Sequence, residues 1–273
     1  MTGRNRLVWP GLLLALHSVG AAAQEPTPAA ALKTALASAR AGGKLEHALQ
    51  ERWFVLETAP AQAKTLHLCR TRGELLPEEA GVAFEVHLVE ARRNRREESS
   101  IRFELSWEGA LRRVRRVAGA RWKKGQQSDA GSTLIAEPGP GGLALRVETV
   151  EEAPRPLAPV AWDERCLPVE VALFLLPLLP GRPASELRFT AREKLGILDD
   201  PPGAYALAPT PTGFTCAAQD GQEADDPPRR YVLELAPGEE PPRLISVGGS
   251  LSLAPLAPDE ARRRLAAAEQ GEE

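Results

Sequence analysis

From Trp53 onward the chain alternates between apolar and polar positions. The stretch "IRFELSW" sets Ile101, Phe103, Leu105 and Trp107 against Arg102, Glu104 and Ser106, and "VAFEVHLVE" puts Val82, Phe84, Val86 and Leu88 on one side. A period of two with one apolar face predicts antiparallel strands, buried on one side and wet on the other. "WFVLETA", "KTLHLCR", "RWKKG", "STLIAE" and "LALRVET" belong to the same series, and "ELRFTAR", "AYALA", "GFTCAA", "YVLELA" and "RLISV" resume it later. Gly, Ser and Pro turns separate them at hairpin spacing. His67 and His87 alternate with apolar neighbours and are expected to face solvent.

Three segments carry a helical pattern instead. Ala29 to Ala41 is Ala-rich with Leu32 and Leu36 four apart, and Gly42-Gly43 ends it. Lys44 to Gln50 adds a short turn with Leu45 and Leu49 on one side. Pro258-Asp259-Glu260 opens a last helix, with proline in its first turn and acids where the dipole favours them. Pro154 to Pro168 reads as a long irregular connection, and Asp220 to Arg230 as an exposed polar loop.

The most apolar stretch beyond the first two dozen residues is "LPVEVALFLLPLLPG", Leu167 to Gly181. It is too short for an ordinary membrane span, which needs about 20 apolar residues, and Pro177 and Pro180 interrupt it. Pro168 suits a first helical turn, while the residue before a proline is pushed away from helical angles. The pattern therefore predicts a short helix over Pro168 to Leu176, followed by extended "PLLPG". A helix apolar nearly all round demands burial on several sides. The predicted fold is mainly β: a large curved antiparallel sheet, a half-open barrel, wrapped around this short apolar helix, with N- and C-terminal helices. The helix fills the concave face, covers a greasy cavity, or borders a partner-binding groove. In the second case Val171, Phe174 and Leu175 of the helix and Trp107 of a facing strand are the ligand-lining candidates.

A signal-like start, a helix, a long antiparallel meander and an apolar helix inserted mid-sheet together resemble the periplasmic lipoprotein-carrier superfamily, the LolA-like and LolB-like proteins, and related uncharacterised exported families. The resemblance is one of architecture over roughly 29–256 and carries no residue across. It implies an incomplete barrel closed by helices whose cavity receives a lipid or acyl chain. The basic 111–124 cluster and the Pro-rich 154–168 segment have no counterpart in it.

The N-terminus fixes the expected compartment. Arg4 and Arg6 precede a mostly apolar run over Leu7 to Gly20, and Ala21-Ala22-Ala23 offers a small-residue cleavage site, which together read as a secretory signal peptide, with an N-terminal anchor as the alternative. The expected organisation is a signal peptide over 1–23, a flexible leader over 24–28, a single β-rich domain over 29–256, and a C-terminal helix and tail over 257–273. The mature protein is then exported and not transmembrane. Its formal charge of −3 grows more acidic once Arg4 and Arg6 are removed, which argues against a nucleic-acid partner.

Export allows a disulfide among Cys69, Cys166 and Cys216. Cys166 with Cys216 is the first pairing to consider, Cys69 with either comes close behind, and three unbridged buried thiols stand beside both.

The chemistry on offer is sparse. "LRRVRRVAGARWKKG" gathers Arg112, Arg113, Arg115, Arg116, Arg121, Lys123 and Lys124 around Trp122, a composition suited to an anionic envelope surface or headgroup. Leu111, Val114 and Val117 recur every third residue there, so this stretch is not a clean strand. A solvated strand face balanced by Glu90, Glu97, Glu98 and Glu104 explains the cluster equally simply. Asp199-Asp200 and Asp225-Asp226 fit turns. No GxSxG, HExxH, P-loop or GxGxxG pattern appears, and nothing calls for a metal or cofactor. The expected function is a non-enzymatic exported binding protein. An anion-docking module or a hydrolase without a short motif are its alternatives.

Overall fold

The computed structural model describes residues 26–58, 65–123, 126–149, 152–191, 203–219, 230–234, 243–247 and 251–270. The signal-like start, Lys124, Asp199-Asp200 and nearly all of the 220–230 loop lie outside them. The strands are β1 (Arg52–Thr58), β2 (Leu66–Leu75), β3 (Gly81–Arg92), β4 (Arg95–Ser106), β5 (Leu111–Lys123), β6 (Gln126–Asp129), β7 (Ser132–Gly139), β8 (Gly142–Glu148), β9 (Arg155–Val160), β10 (Leu187–Ala191), β11 (Gly203–Thr210), β12 (Gly213–Ala218), β13 (Arg230–Glu234), β14 (Arg243–Val247) and β15 (Leu251–Leu256). They form one antiparallel sheet in the order β10 to β15, then β1 to β5, then β7, β8 and β9, with β6 branching off β5. The half-open barrel expected from the alternation is the observed fold.

The first and last strands of this meander pair with each other, from Trp53 opposite Leu256 to Thr58 opposite Leu251. The two edges of the sheet, β9 and β10, therefore come from the middle of the chain. The apolar segment is the connection that runs between them. It leaves β9, lays Cys166 beside Thr190 of β10 in a single parallel bridge, and then turns into the concave face. Leu167 N–H donates to the Thr190 carbonyl at 3.0 Å, and Thr190 N–H to the Arg165 carbonyl at 2.8 Å. These bonds occupy the outer side of β10, which would otherwise be an open edge.

Inside, the segment departs from the expected helix. Val171–Leu175 forms a π-helical turn, closed by Leu176 N–H donating to the Val171 carbonyl, and Leu176–Leu178 continues as a 3₁₀ turn. Pro177 does not end the coil, because it stands in the first turn of the 3₁₀ piece, where no N–H is needed. Extended backbone starts only at Leu179. Val171, Leu175 and Leu176 have no exposed surface at all. Each such side chain contributes about 1.5–3 kcal/mol by leaving water.

Two short helices close one end of the barrel. α1 (Pro28–Ala41) begins with Thr27, whose hydroxyl accepts from Ala30 N–H at 3.3 Å, and with Pro28 in its first turn. Its stripe of Ala31, Leu32, Ala35, Leu36 and Ala39 is buried in the main core with Phe54, Phe84, Phe103 and Leu105. α2 (Leu45–Leu49) adds Leu45, Ala48 and Leu49 to the same core. The third helix, α3 (Pro258–Gln270), lies on the opposite face of the sheet. Its Ala261 and Ala268 pack with Trp53, Leu66, Leu68, Val89 and Ala91 of β1, β2 and β3. The outer face of those strands is thus a second small core rather than a wet surface.

Three further readings need correction. The 111–123 stretch is a continuous strand, β5, whose apolar spacing is broken by two register shifts against β4. Pro154 to Pro168 contains β9; Pro156 and Pro159 are tolerated because β9 is an edge strand. The Cys166–Cys216 bridge does not form, and all three cysteines are free. Cys166 lies outside β10, while Cys216 is on β12. Three strand spacings of about 4.8 Å put them about 14 Å apart, twice the reach of a disulfide.

Candidate functional site: a groove along the concave face

The inner face of β3 reads Val82, Phe84, Val86, Leu88, Glu90 and Arg92 in alternate steps. Opposite these on β4 stand Leu105, Phe103, Ile101, Ser99, Glu97 and Arg95. The first half of this series is sealed under α1 and the apolar segment, with Val82 and Phe103 both at 0% exposure. The second half is open: Leu88, on the same face, is 52% exposed. An exposed leucine aimed at the concave side marks where the filling stops.

A cavity of about 270 Å³ begins there. Cys69, Val86, Leu88, Ile101, Phe174 and Leu253 supply an apolar lining, and Ser99, Ser100, Arg116 and Glu170 supply its polar groups. Glu170 is the first polar side chain of the apolar segment, immediately before the π turn. Burial first, and the charge of Glu170 second, push the Cys69 thiol up to about 12, so it is an inert neutral wall. A second hollow of about 310 Å³ shares Cys69, Leu88, Ser99 and Leu253 with the first and adds Leu56, His67, Glu90 and Glu97. A third, of about 400 Å³, shares Glu90 and Glu97 with the second and adds Arg92, Arg95, Arg121 and Lys123, with Arg96, Trp122 and Ser128 also at its border. Each hollow shares lining residues with the next, so together they trace a groove along β3 and β4, apolar at the Phe174 end and charged where it reaches the tip of the β3–β4 hairpin.

The expected lining residues divide. Phe174 borders the groove with 8% of its surface exposed. Val171 and Leu175 face the packed core instead. Trp107 is at the closed end, where its indole N–H donates to the Glu79 carbonyl and the Arg40 guanidinium stacks 4.8 Å from its ring centre. Leu88 and His67 are legible in the sequence as strand residues but not as lining residues, and Leu253 carries no signal of its own. The available signal was the passage of one β3 face from Val86 through Leu88 to Glu90 and Arg92.

The basic cluster is dispersed by strand alternation. Arg112 donates to the Ala80 carbonyl at 3.3 Å, and Arg113 pairs with Glu137 at 3.2 Å. Arg115 is exposed opposite Arg102, and Arg116 reaches the groove. Arg121 pairs with Glu97 at 3.1 Å. A register shift lies between Val117 and Ala120, at Gly119, which adopts φ 74°. One extra residue inverts the alternation beyond it. Arg121 and Lys123 therefore point into the groove, where an unbroken strand would have placed Trp122. Arg96 instead stacks on Trp122 at 4.6 Å on the outer side.

The histidines do not simply face solvent. His67 borders the groove. His87 is on the outer face with 15% of its side chain exposed. Arg70 donates to its Nδ1 at 3.0 Å, and its Nε2 lies 3.1 Å from a Glu98 oxygen. Arg96 joins the same carboxylate at 2.8 Å and ties it to Glu269 of α3 at 2.9 Å. Burial raises the Glu98 pKa, but the bond from His87 and the charges of His87, Arg96 and Arg70 outweigh it and leave the carboxyl below its ordinary value. This network clamps α3 and is separate from the groove. Among the described residues no helix is long and apolar enough to cross a membrane. No known protein family, curated protein or solved structure matches this chain.

Proposed function

We propose that this protein is exported and works as a binding protein, holding an acyl or other lipid-like hydrophobic ligand in the groove between β1–β5 and the apolar segment. The observation that carries the reading is the placement of Leu88, a half-exposed apolar side chain on the concave face, continuous with a cavity walled by Val86, Ile101, Phe174 and Leu253. Val82, Phe84, Phe103 and Leu105 beneath α1 are fully or almost fully buried, so the groove is a local opening beside a closed core. Apolar pockets with a few convergent polar groups are the usual form of a small-ligand site. The signal-like N-terminus and the architectural resemblance to lipoprotein carriers support export and an acyl ligand. Docking on an anionic surface through 112–124 as a single patch finds less support, because those side chains divide between two faces and several are already paired.

The test is direct. Native mass spectrometry of protein purified without detergent should retain a lipid-sized adduct. The uncharged dye N-phenyl-1-naphthylamine should bind in a one-to-one complex, and a Leu88→Arg variant should lose both. Dye binding that Leu88→Arg leaves intact, or no dye binding and no adduct in the wild type, would overturn the proposal.

A further inference from the structure

The groove has two chemically different ends, and their geometry specifies more than greasiness. From Val86 to Arg92 the inner face of β3 runs six residues, about 20 Å at the rise of an extended strand. Over that length it passes from Phe174, Val86 and Ile101 to Arg92, Arg95, Arg121 and Lys123. Two carboxylates share this end: Glu97 is matched by Arg121 at 3.1 Å, and Glu90 offsets one charge of the remaining three cations, which leaves the end positive. Arg92, Arg95 and Lys123 are exposed and make no ion pair with any described residue. They also stand directly across from one another, Arg92 opposite Arg95 and Arg95 opposite Lys123. Like charges in direct cross-strand register repel. The Gly119 bulge is what brings Lys123 into that company, so the local backbone concentrates positive charge on the groove rather than dispersing it.

We infer that the ligand is an anionic amphiphile, with its hydrocarbon chain against Phe174, Val86 and Leu88 and its phosphate- or carboxylate-type headgroup among Arg92, Arg95 and Lys123. This rests on the reading of the groove as a ligand site and adds the charge and orientation of the ligand. A headgroup at the hairpin tip relieves the repulsion among three cations that pair with no described residue and accepts charge-assisted hydrogen bonds from two guanidinium groups. The closed end beneath α1 fixes the direction, because the inner face is sealed from Val82 to Phe103 there and opens only from Leu88 towards the hairpin tip.

Displacement of N-phenyl-1-naphthylamine by two ligands of equal chain length tests it. Dodecyl phosphate, kept below its micelle concentration, should displace the dye at on the order of tenfold lower concentration than dodecanol, as a few exposed ion pairs would give. That advantage should shrink with added salt. It should vanish in an Arg92→Glu/Arg95→Glu/Lys123→Glu variant, whose dodecanol displacement stays as in the wild type and certifies its fold. Inorganic phosphate alone should displace nothing. Equal potency of the two ligands in the wild type, an unchanged preference in the triple variant, or competition by inorganic phosphate would overturn the inference while leaving the apolar groove intact. A wild-type protein that binds neither dye nor either ligand would remove the groove reading and this inference together.

Discussion

The ring of Phe174 meets that of Phe54 with centroids 5.8 Å apart and planes tilted by 52°. This contact joins the π turn of the apolar segment to β1, the strand on which the first and last parts of the sheet close. Tilted aromatic pairs at this spacing add to the burial of both rings. The same Phe174 borders the groove, so one side chain both seals the packed core and ends the cavity.

Phe174→Ala should therefore be strongly destabilising. Truncating a buried Phe costs about 3–5 kcal/mol, a large part of the ~5–15 kcal/mol that holds a domain together. The urea midpoint should fall sharply. A mobile lid over the cavity would behave differently, with an unchanged midpoint and altered dye uptake, and that result would refute the packing described here.

Thiol counting tests the cysteine arrangement. Denatured without reductant, the protein should react with three equivalents of Ellman's reagent, matching three free cysteines. In the native state Cys166 should react first. Burial holds Cys69 and Cys216 at about 12, where almost no thiolate exists at neutral pH. A single titratable thiol in denaturant would mean that a bridge forms after all.

The seat of α1 can be probed through two glycines. Gly109, in the β4–β5 turn, adopts φ +75°, and a Cβ there would lie 2.2 Å from the Ala29 carbonyl at the start of α1. Gly43 adopts φ +63° with nothing within 4 Å of that position. Alanine at either site meets the left-handed backbone cost of about 1–2 kcal/mol, but only Gly109→Ala must also push α1 away from the barrel. Its thermal midpoint should drop further than that of Gly43→Ala, by several degrees for each additional kcal/mol. Equal drops would show that α1 is not held at this point.

Alternation made the sheet legible, because each strand with one buried face writes a period of two. What the alternation could not show depends on the tertiary arrangement. β9 was obscured by Pro156 and Pro159, which an edge strand accepts and a central one does not. The Leu111, Val114 and Val117 spacing concealed β5 because bulges insert residues that no partner matches. The coil ran through Pro177 because a π turn changed to a 3₁₀ turn at Leu176, where proline fits. The groove was hardest to see. Leu88 looks like any core leucine of β3, and only the place where α1 and the apolar segment stop covering the concave face distinguishes it.

Acid should release α3 through Glu98. Its carboxyl titrates below its ordinary value in the folded protein, whereas in the unfolded chain it returns to about 4.5. A lowered folded pKa contributes stability that is complete above the unfolded value and disappears as pH falls through the folded one. At neutral pH, Glu98→Gln should cost on the order of 1–3 kcal/mol, the range for a charged hydrogen bond partly shielded from water. The replacement keeps an acceptor for His87 but removes the charge that Arg96 and Arg70 face. As pH is lowered through and below the carboxylate range, the wild type should lose this advantage and the two urea midpoints should converge. Among the described residues the Arg96 guanidinium would then keep Glu269 of α3 and its stack on Trp122. Protection of the α3 amides against hydrogen exchange should weaken over the same interval in the wild type, while in Glu98→Gln it should already be weak at neutral pH. A midpoint gap that stays constant from neutral to acid pH would show that the Glu98 charge contributes nothing to this clamp.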